Sequence, residues 1–328
     1  MEQLPPPATL RTRPAATPTT PSPYHQLLRG PRFRWWRPLV SLLLFAGLTG
    51  ASLAVVGLVV VGAFGLAAPA SWGDPLSEDV ANPASMLLVD LLLAALIPST
   101  LLSAWIVHRV RPGFLLSVTG RFRWRWLVRC VAVLLPLWAV YLAIGFLTDP
   151  PESGRPAQWV ILLVMALLLT PFQCAGEELV FRGWLTQHLG AYFRHPVVGL
   201  VVSTVVSATA FALVHGSLDP WILLDLGIFG VAASLVTWRT GGLEAAIAIH
   251  TVNNVTLLAS TTTFGGYAES FVGTETTGDP MSVVWTLGIQ AIAVGLILWQ
   301  ARRAQVARVF IPVPPPAPPA IWIAPLGY

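Results

Sequence analysis

The segment Cys174–Leu185, reading CAGEELVFRGWL, sets Glu177, Glu178 and Arg182 inside a long apolar run. A charged side chain at mid-bilayer costs at least ~2.5–3.5 kcal/mol on insertion scales, so an ionisable residue there marks a functional position by default. Here three fall within six residues. Glu178 and Arg182 are four apart with the acid first, the favourable order for a helical ion pair. Glu177 is turned about 100° round the helix and is left without that partner. One acid reads as tied down and its neighbour as free to act.

The rest of the chain makes that run a membrane segment. Of 328 residues, 55% are hydrophobic and 10% charged, against about 25% charged in soluble domains. Mean hydropathy is +0.70. Apolar runs long enough to span a bilayer as helices are expected at 38–66, 84–108, 126–148, 157–189, 197–215, 220–238, 242–260 and 281–300. The fold class is therefore all-α, a polytopic integral membrane protein of about eight transmembrane helices. The fourth run is too long for one span at ~1.5 Å per residue. Pro171 inside it is the one obvious break and frees the carbonyl of Leu167. Cys130 and Cys174 both lie in apolar helices, which argues against a disulfide framework. The first apolar run is far longer than the core of a cleavable signal.

All nineteen basic residues are arginine, and they flank the apolar runs, so the high pI of about 9.6 is no nucleic-acid footprint. Seventeen fall in the N-terminal arm, the 109–129 loop, after helices 4 and 6, and after helix 8. Only Arg155 lies in the opposite loops, which carry Asp74, Glu78, Asp79, Asp149, Glu152, Glu269, Glu275 and Asp279. The positive-inside rule places both termini in the cytoplasm. Composition divides the chain into a disordered Pro/Arg-rich arm (1–37), a helical membrane domain (38–300) and a Pro-rich tail (301–328). The lack of lysine in an Ala/Val/Leu/Trp-rich chain points to a GC-rich bacterial coding bias, hence a bacterial plasma membrane.

Polar residues recur on three further helices. Phe211 and His215 share a face at i, i+4, as do His250 and Asn254, and Asp225 sits on the helix between. Depths counted at ~1.5 Å per residue bring Glu177, His215 and His250 within about two helical turns of one another. Small residues beside the acids (Cys174, Ala175, Gly176, Gly183) would let helices approach closely. Such a cluster suits water attack on an amide: a desolvated carboxylate as base, a histidine sharing the water, Asn and His donors on the oxyanion. Glu177, His215 and His250 could instead ligate zinc, although HExxH is absent. The same residues would also serve a proton-relay or transport protein, or survive in a non-catalytic scaffold.

The order EExxxR-G (Glu177, Glu178, Arg182, Gly183), FxxxH (Phe211, His215) and HxxxN (His250, Asn254) resembles the CPBP intramembrane proteases, the CAAX prenyl endopeptidase and abortive-infection relatives. The likeness spans roughly 158–260. It implies an intramembrane endopeptidase with Glu177 as catalytic glutamate and His215 its partner on the water. Glu178, Arg182 and Phe211 would shape the site, and His250 with Asn254 would form the oxyanion hole. No cofactor is required on a glutamic mechanism, and zinc is the alternative. The partners implied are the lipid bilayer and a peptide or membrane-protein substrate, with no nucleic acid. Outside these motifs, Glu244 reads as a helix-dipole acid and Asp225 as an interhelical hydrogen bond. His188, His195, Trp35, Trp36, Trp124 and Trp126 read as headgroup-level anchors.

Overall fold

Helix starts and stops follow local sequence. The computed structural model describes residues 16–67, 72–77 and 81–312. It comprises α1 (Arg37–Ala67), α2 (Pro83–Ala94), α3 (Leu96–His108), a short α4 (Gly113–Leu116), α5 (Trp124–Thr148), α6 (Trp159–Leu168) and α7 (Thr170–Glu178). A π-helical segment, Leu179–Leu185, leads into α8 (Thr186–Gly190). Then come α9 (Pro196–Leu213), α10 (Pro220–Thr240), α11 (Glu244–Phe264) and α12 (Pro280–Arg303). Asn82, Asp219 and Asp279 cap α2, α10 and α12 through their side chains, and each is followed by proline. Proline's missing N–H would have no partner in the first turn anyway. Gly241, at φ 65°, ends α10 in the left-handed conformation that glycine tolerates.

Laid end to end, these helices form eight rods. Among the described residues seven are long and apolar enough to cross a membrane. The eighth, α11, is 21 residues long but carries His250, Asn253, Asn254 and four threonines in its second half; its residues Glu244–His250 are all buried. The rods of α5, α6–α7 and α10 pack around it, so lipid never has to solvate its polar groups. Two rods are broken, not one. The expected break falls between α6 and α7, just before Pro171. A second falls at Ala95, between α2 and α3, where Pro98 cannot donate to the carbonyl of Ala94. The rods of α2 and α7 meet at Gly176, where a Cβ would lie 2.3 Å from the Leu93 carbonyl oxygen.

Residues 16–36, expected as part of a disordered arm, are folded. Ser22–Pro23 (β1) pairs antiparallel with Val309–Phe310 (β2). Tyr24, Leu27 and Leu28 are buried. Side chains from this strap then reach backbone carbonyls at helix ends: Tyr24 donates to Leu115, Gln26 to Phe193 at 2.9 Å and Arg29 to Ala191 at 2.8 Å. Composition misleads because three apolar anchors suffice once orphan carbonyls supply the other partners. Residues 1–15 and the polyproline stretch from 313 onward lie outside the described residues. Two expected anchors are core instead. Trp126 and His188 are 4% and 3% exposed, and His188 stacks on Trp184 at 4.1 Å. Trp35, Trp36 and Trp124 are exposed as expected.

Glu244 does more than complement a helix dipole. Its fully buried carboxylate takes two bonds from the Arg123 guanidinium, at 2.8 and 2.6 Å, and a third from the Arg123 backbone N–H. Arg123 also donates to the carbonyls of Thr240 and Ala307, tying three loops together at the strap end of the bundle. Arg123→Ala leaves a buried, unpaired acid and is expected to cost ~3–5 kcal/mol, with Arg123→Lys recovering part because it keeps charge but not the fork. Thermal unfolding of the purified protein in detergent checks the ranking.

Candidate active site

Four ionisable side chains meet where α7, the π segment and α11 touch. Glu178 Oε1 accepts from Arg182 Nη1 at 2.9 Å, with both side chains fully buried. The same oxygen lies 3.0 Å from His250 Nδ1. The other imidazole nitrogen, Nε2, faces Glu177 Oε2 at 3.7 Å. His250 thus bridges the two acids. Glu177 Oε1 accepts from Gln173 Nε2 at 2.7 Å, whereas its Oε2 is buried without a hydrogen bond.

The π turn shapes this arrangement. It begins directly after Glu178 and includes Arg182, and such widened turns recur at functional sites. The carbonyl of Phe181 within it accepts from Thr186 and from Ser207 of α9, each at 2.9 Å. The Arg182 guanidinium lies over the Phe211 ring at 4.2 Å, with Phe181 and Phe229 at 5.9 and 5.7 Å. Aromatic faces stabilise a desolvated cation in place of water. Gly230 makes room for it: a Cβ there would sit 2.8 Å from that of Ala208 and 3.2 Å from Arg182 Nη2.

His215, from the end of α9, and Asn254, one turn beyond His250 on α11, lie on the cavity next to this centre. His215 lies just past α9, its ring 4.7 Å from Phe211. Its Nδ1 is 2.7 Å from the Phe211 carbonyl, so Nδ1 carries the proton and Nε2 is left as an acceptor. Asn254 is oriented by a relay. Trp138 Nε1 donates to Asn253 Oδ1 at 2.9 Å, and Asn253 Nδ2 donates to Asn254 Oδ1 at 2.9 Å. That leaves Nδ2 as the open donor of Asn254. Gln173, His215, Asn253 and Asn254 all line one cavity of about 860 Å³, together with Asp90 and Asp225.

The structure thus sets Glu177, Glu178, Arg182 and His250 in one buried cluster and His215 and Asn254 on the neighbouring cavity, joined through Gln173 and Phe211. His250 packs against the acids rather than on the cavity lining. Sequence reading missed Gln173, whose i, i+4 spacing from Glu177 was a legible signal. It also missed Trp138, Asn253, Phe229 and Asp90, whose roles depend on helix pairing. Asp90 Oδ2 accepts from Thr170 at 3.4 Å. Asp225 lines the cavity with Oδ1 unbonded. As a zinc site the donors fit poorly: among the described residues no three His, Cys, Asp or Glu side chains converge as a ligand set, and both nitrogens of His250 already face carboxylates.

The Glu178–Arg182 pair is open to a double-mutant cycle. Arg182→Ala alone strands a buried carboxylate, an expected loss of ~3–5 kcal/mol. Adding Glu178→Ala removes the stranded charge, so the double variant should be more stable than the sum of the singles, with a coupling of ~0.5–3 kcal/mol. Additive losses in detergent unfolding would show that the pair carries no energy.

Residues 156–256 match the family model described as type II CAAX prenyl endopeptidase Rce1-like. The "Uncharacterized protein YyaK" of Bacillus subtilis (strain 168) is 29% identical over 188 residues, 53% of this chain and 61% of that protein. The chain thus spans about three fifths of the length of the curated relative it matches. No solved structure matches. The matched segment begins before α6 and ends just past Asn254, so it encloses all three motifs and bears out their resemblance: residues 156–256 are similar to the type II CAAX prenyl endopeptidase Rce1-like model.

Proposed function

We propose that the protein is an integral-membrane endopeptidase of a bacterial plasma membrane, hydrolysing a peptide bond with water activated by Glu177. The observation that carries this reading is the state of Glu177. One oxygen is fixed by Gln173, which lines the cavity together with His215 and Asn254; the other is buried without a hydrogen bond, 3.7 Å from His250 Nε2. Glu177 Oε2 takes a proton from water as the water oxygen bonds to the scissile carbonyl carbon. Asn254 Nδ2 donates to the oxyanion that forms. The proton passes to the leaving amine, directly or by way of His215, as the C–N bond breaks. His250 Nε2 faces the Glu177 carboxylate at 3.7 Å rather than the cavity. No step is routed through a metal.

A proton-relay or transport reading keeps one observation in its favour. The two broken rods meet at Leu93 and Gly176, and paired discontinuous helices mark substrate sites in transporters. The family match weighs toward proteolysis.

Glu177→Gln preserves shape and removes the basic oxygen, so turnover of a cleaved peptide should fall by ~10²-fold or more with binding retained. Asn253→Leu removes the acceptor and donor that orient Asn254 and frees the Asn254 amide to flip. It should lower kcat with little change in KM, because an oxyanion donor acts in the transition state. Cleavage by purified, metal-analysed wild type and both variants tests the assignment. Equal rates for wild type and Glu177→Gln end it; chelator-sensitive activity restored by zinc would replace the glutamic mechanism; proton-coupled uptake lost in Glu177→Gln would move the protein to the transporters.

A further inference from the structure

The cavity lined by Gln173, the hydrogen-bond partner of Glu177, opens toward one end of the bundle. Its lining includes Ser85 near the start of α2, Thr148 and Asp149 at the end of α5, His215 after α9, Asp225 early in α10 and Ser270 after α11. All belong to the end of the bundle built from the 72–77, 81–85, 149–158, 215–219 and 265–279 segments. Thr148 and Asp149 are exposed there. No lining residue comes from the arginine-bearing segments 29–37, 109–129, 194, 239 or 302–308. Those segments meet at the opposite end, where Arg123 joins the carbonyls of Thr240 and Ala307 and Arg29 joins Ala191. Near the mouth the connections carry one arginine, Arg155, against a series of acids.

The positive-inside rule puts the arginine-rich end in the cytoplasm, so the mouth faces away from it. We propose that the substrate is a peptide presented on the non-cytoplasmic face, an exported chain or the outer flank of a membrane anchor; this rests on the proteolytic reading above. The lining adds a charge constraint. It holds the carboxylates Asp90, Asp149 and Asp225 and neither lysine nor arginine. Asp90 is only 6% exposed. A free C-terminal carboxylate would pass the exposed Asp149 and find no arginine or lysine to receive it, and burying it unpaired is costly. The substrate class is therefore an internal, apolar stretch with neutral or basic flanks, delivered from outside.

Cysteine labelling in intact cells tests the side without any substrate, since Cys130 and Cys174 are both buried and can stay. Thr148→Cys at the mouth and His195→Cys at the arginine end form one pair; Ala268→Cys and Ala307→Cys form a second should either of the first misfold. A membrane-impermeant sulfonated maleimide should label Thr148→Cys and Ala268→Cys in cells, and the other two only in inverted membrane vesicles. The reverse pattern overturns the inference and leaves proteolysis standing. The second arm compares new peptide termini in cells carrying wild type or Glu177→Gln. Glu177-dependent cuts should fall in outward-facing segments poor in Asp and Glu. Cuts in cytosolic C-terminal tails would overturn the substrate class, again sparing the protease. Absence of any Glu177-dependent cut would overturn the proteolytic reading and the substrate class with it, while labelling still decides where the mouth faces.

Discussion

A buried set of charges that lipid cannot solvate dictates much of the surrounding structure. Glu178 and Arg182 are fully enclosed, and burial of either alone would be prohibitive. Each neighbouring choice serves to neutralise or accommodate them. His250 adds a donor to the same carboxylate oxygen as Arg182. Phe211 covers the guanidinium. Gly230 removes the one carbon that would crowd it. Glu177 is what this arrangement leaves over: adjacent in sequence, held by Gln173, and excluded from the main ion pair. The two neighbouring acids thus have different surroundings, one paired with a cation and the other not.

Much of this was legible in the sequence because helical spacing is geometry. The Glu178–Arg182 pair, the separation of Glu177 from it, and the shared face of Phe211 and His215 follow from 3.6 residues per turn. The three motifs carried the family resemblance for the same reason. What spacing cannot give is which helix lies against which. Trp138 is 115 residues from Asn253, and neither residue is unusual in its own window. His250 was assigned to the cavity by resemblance, yet it faces the two acids, a placement set by how α11 packs against α7. The break at Ala95 was overlooked because Pro98 lies in a run whose apolar character continues unbroken on both sides.

The ends of the chain show a different limit. A Pro/Arg/Thr-rich segment lacks the apolar content to fold by itself, and that reading of residues 16–36 is sound for an isolated peptide. The helix ends change the outcome, because the carbonyls of Leu115, Phe193 and Ala191 need donors and the strap provides them. Its pairing with Val309–Phe310 also sets both described ends on the arginine-rich face. The charge asymmetry read from sequence and the strap geometry thus agree on which end is which.

Among the described residues seven rods are long and apolar enough to cross a membrane and one is not, and the exception is informative. α11 fails because it carries His250, Asn253, Asn254 and a run of threonines. In a membrane protein such a helix is stable only if other helices take the place of lipid around it. The helices α5, α6, α7 and α10 do so, and their contacts form the candidate site: Trp138 of α5 on Asn253, Glu177 and Glu178 of α7 on His250, Phe229 of α10 against the His250 ring. The polarity that weakens α11 as a membrane span is what obliges the bundle to enclose it. Enclosure in turn supplies the dry, preorganised surroundings in which a carboxylate and an amide could act on a peptide bond.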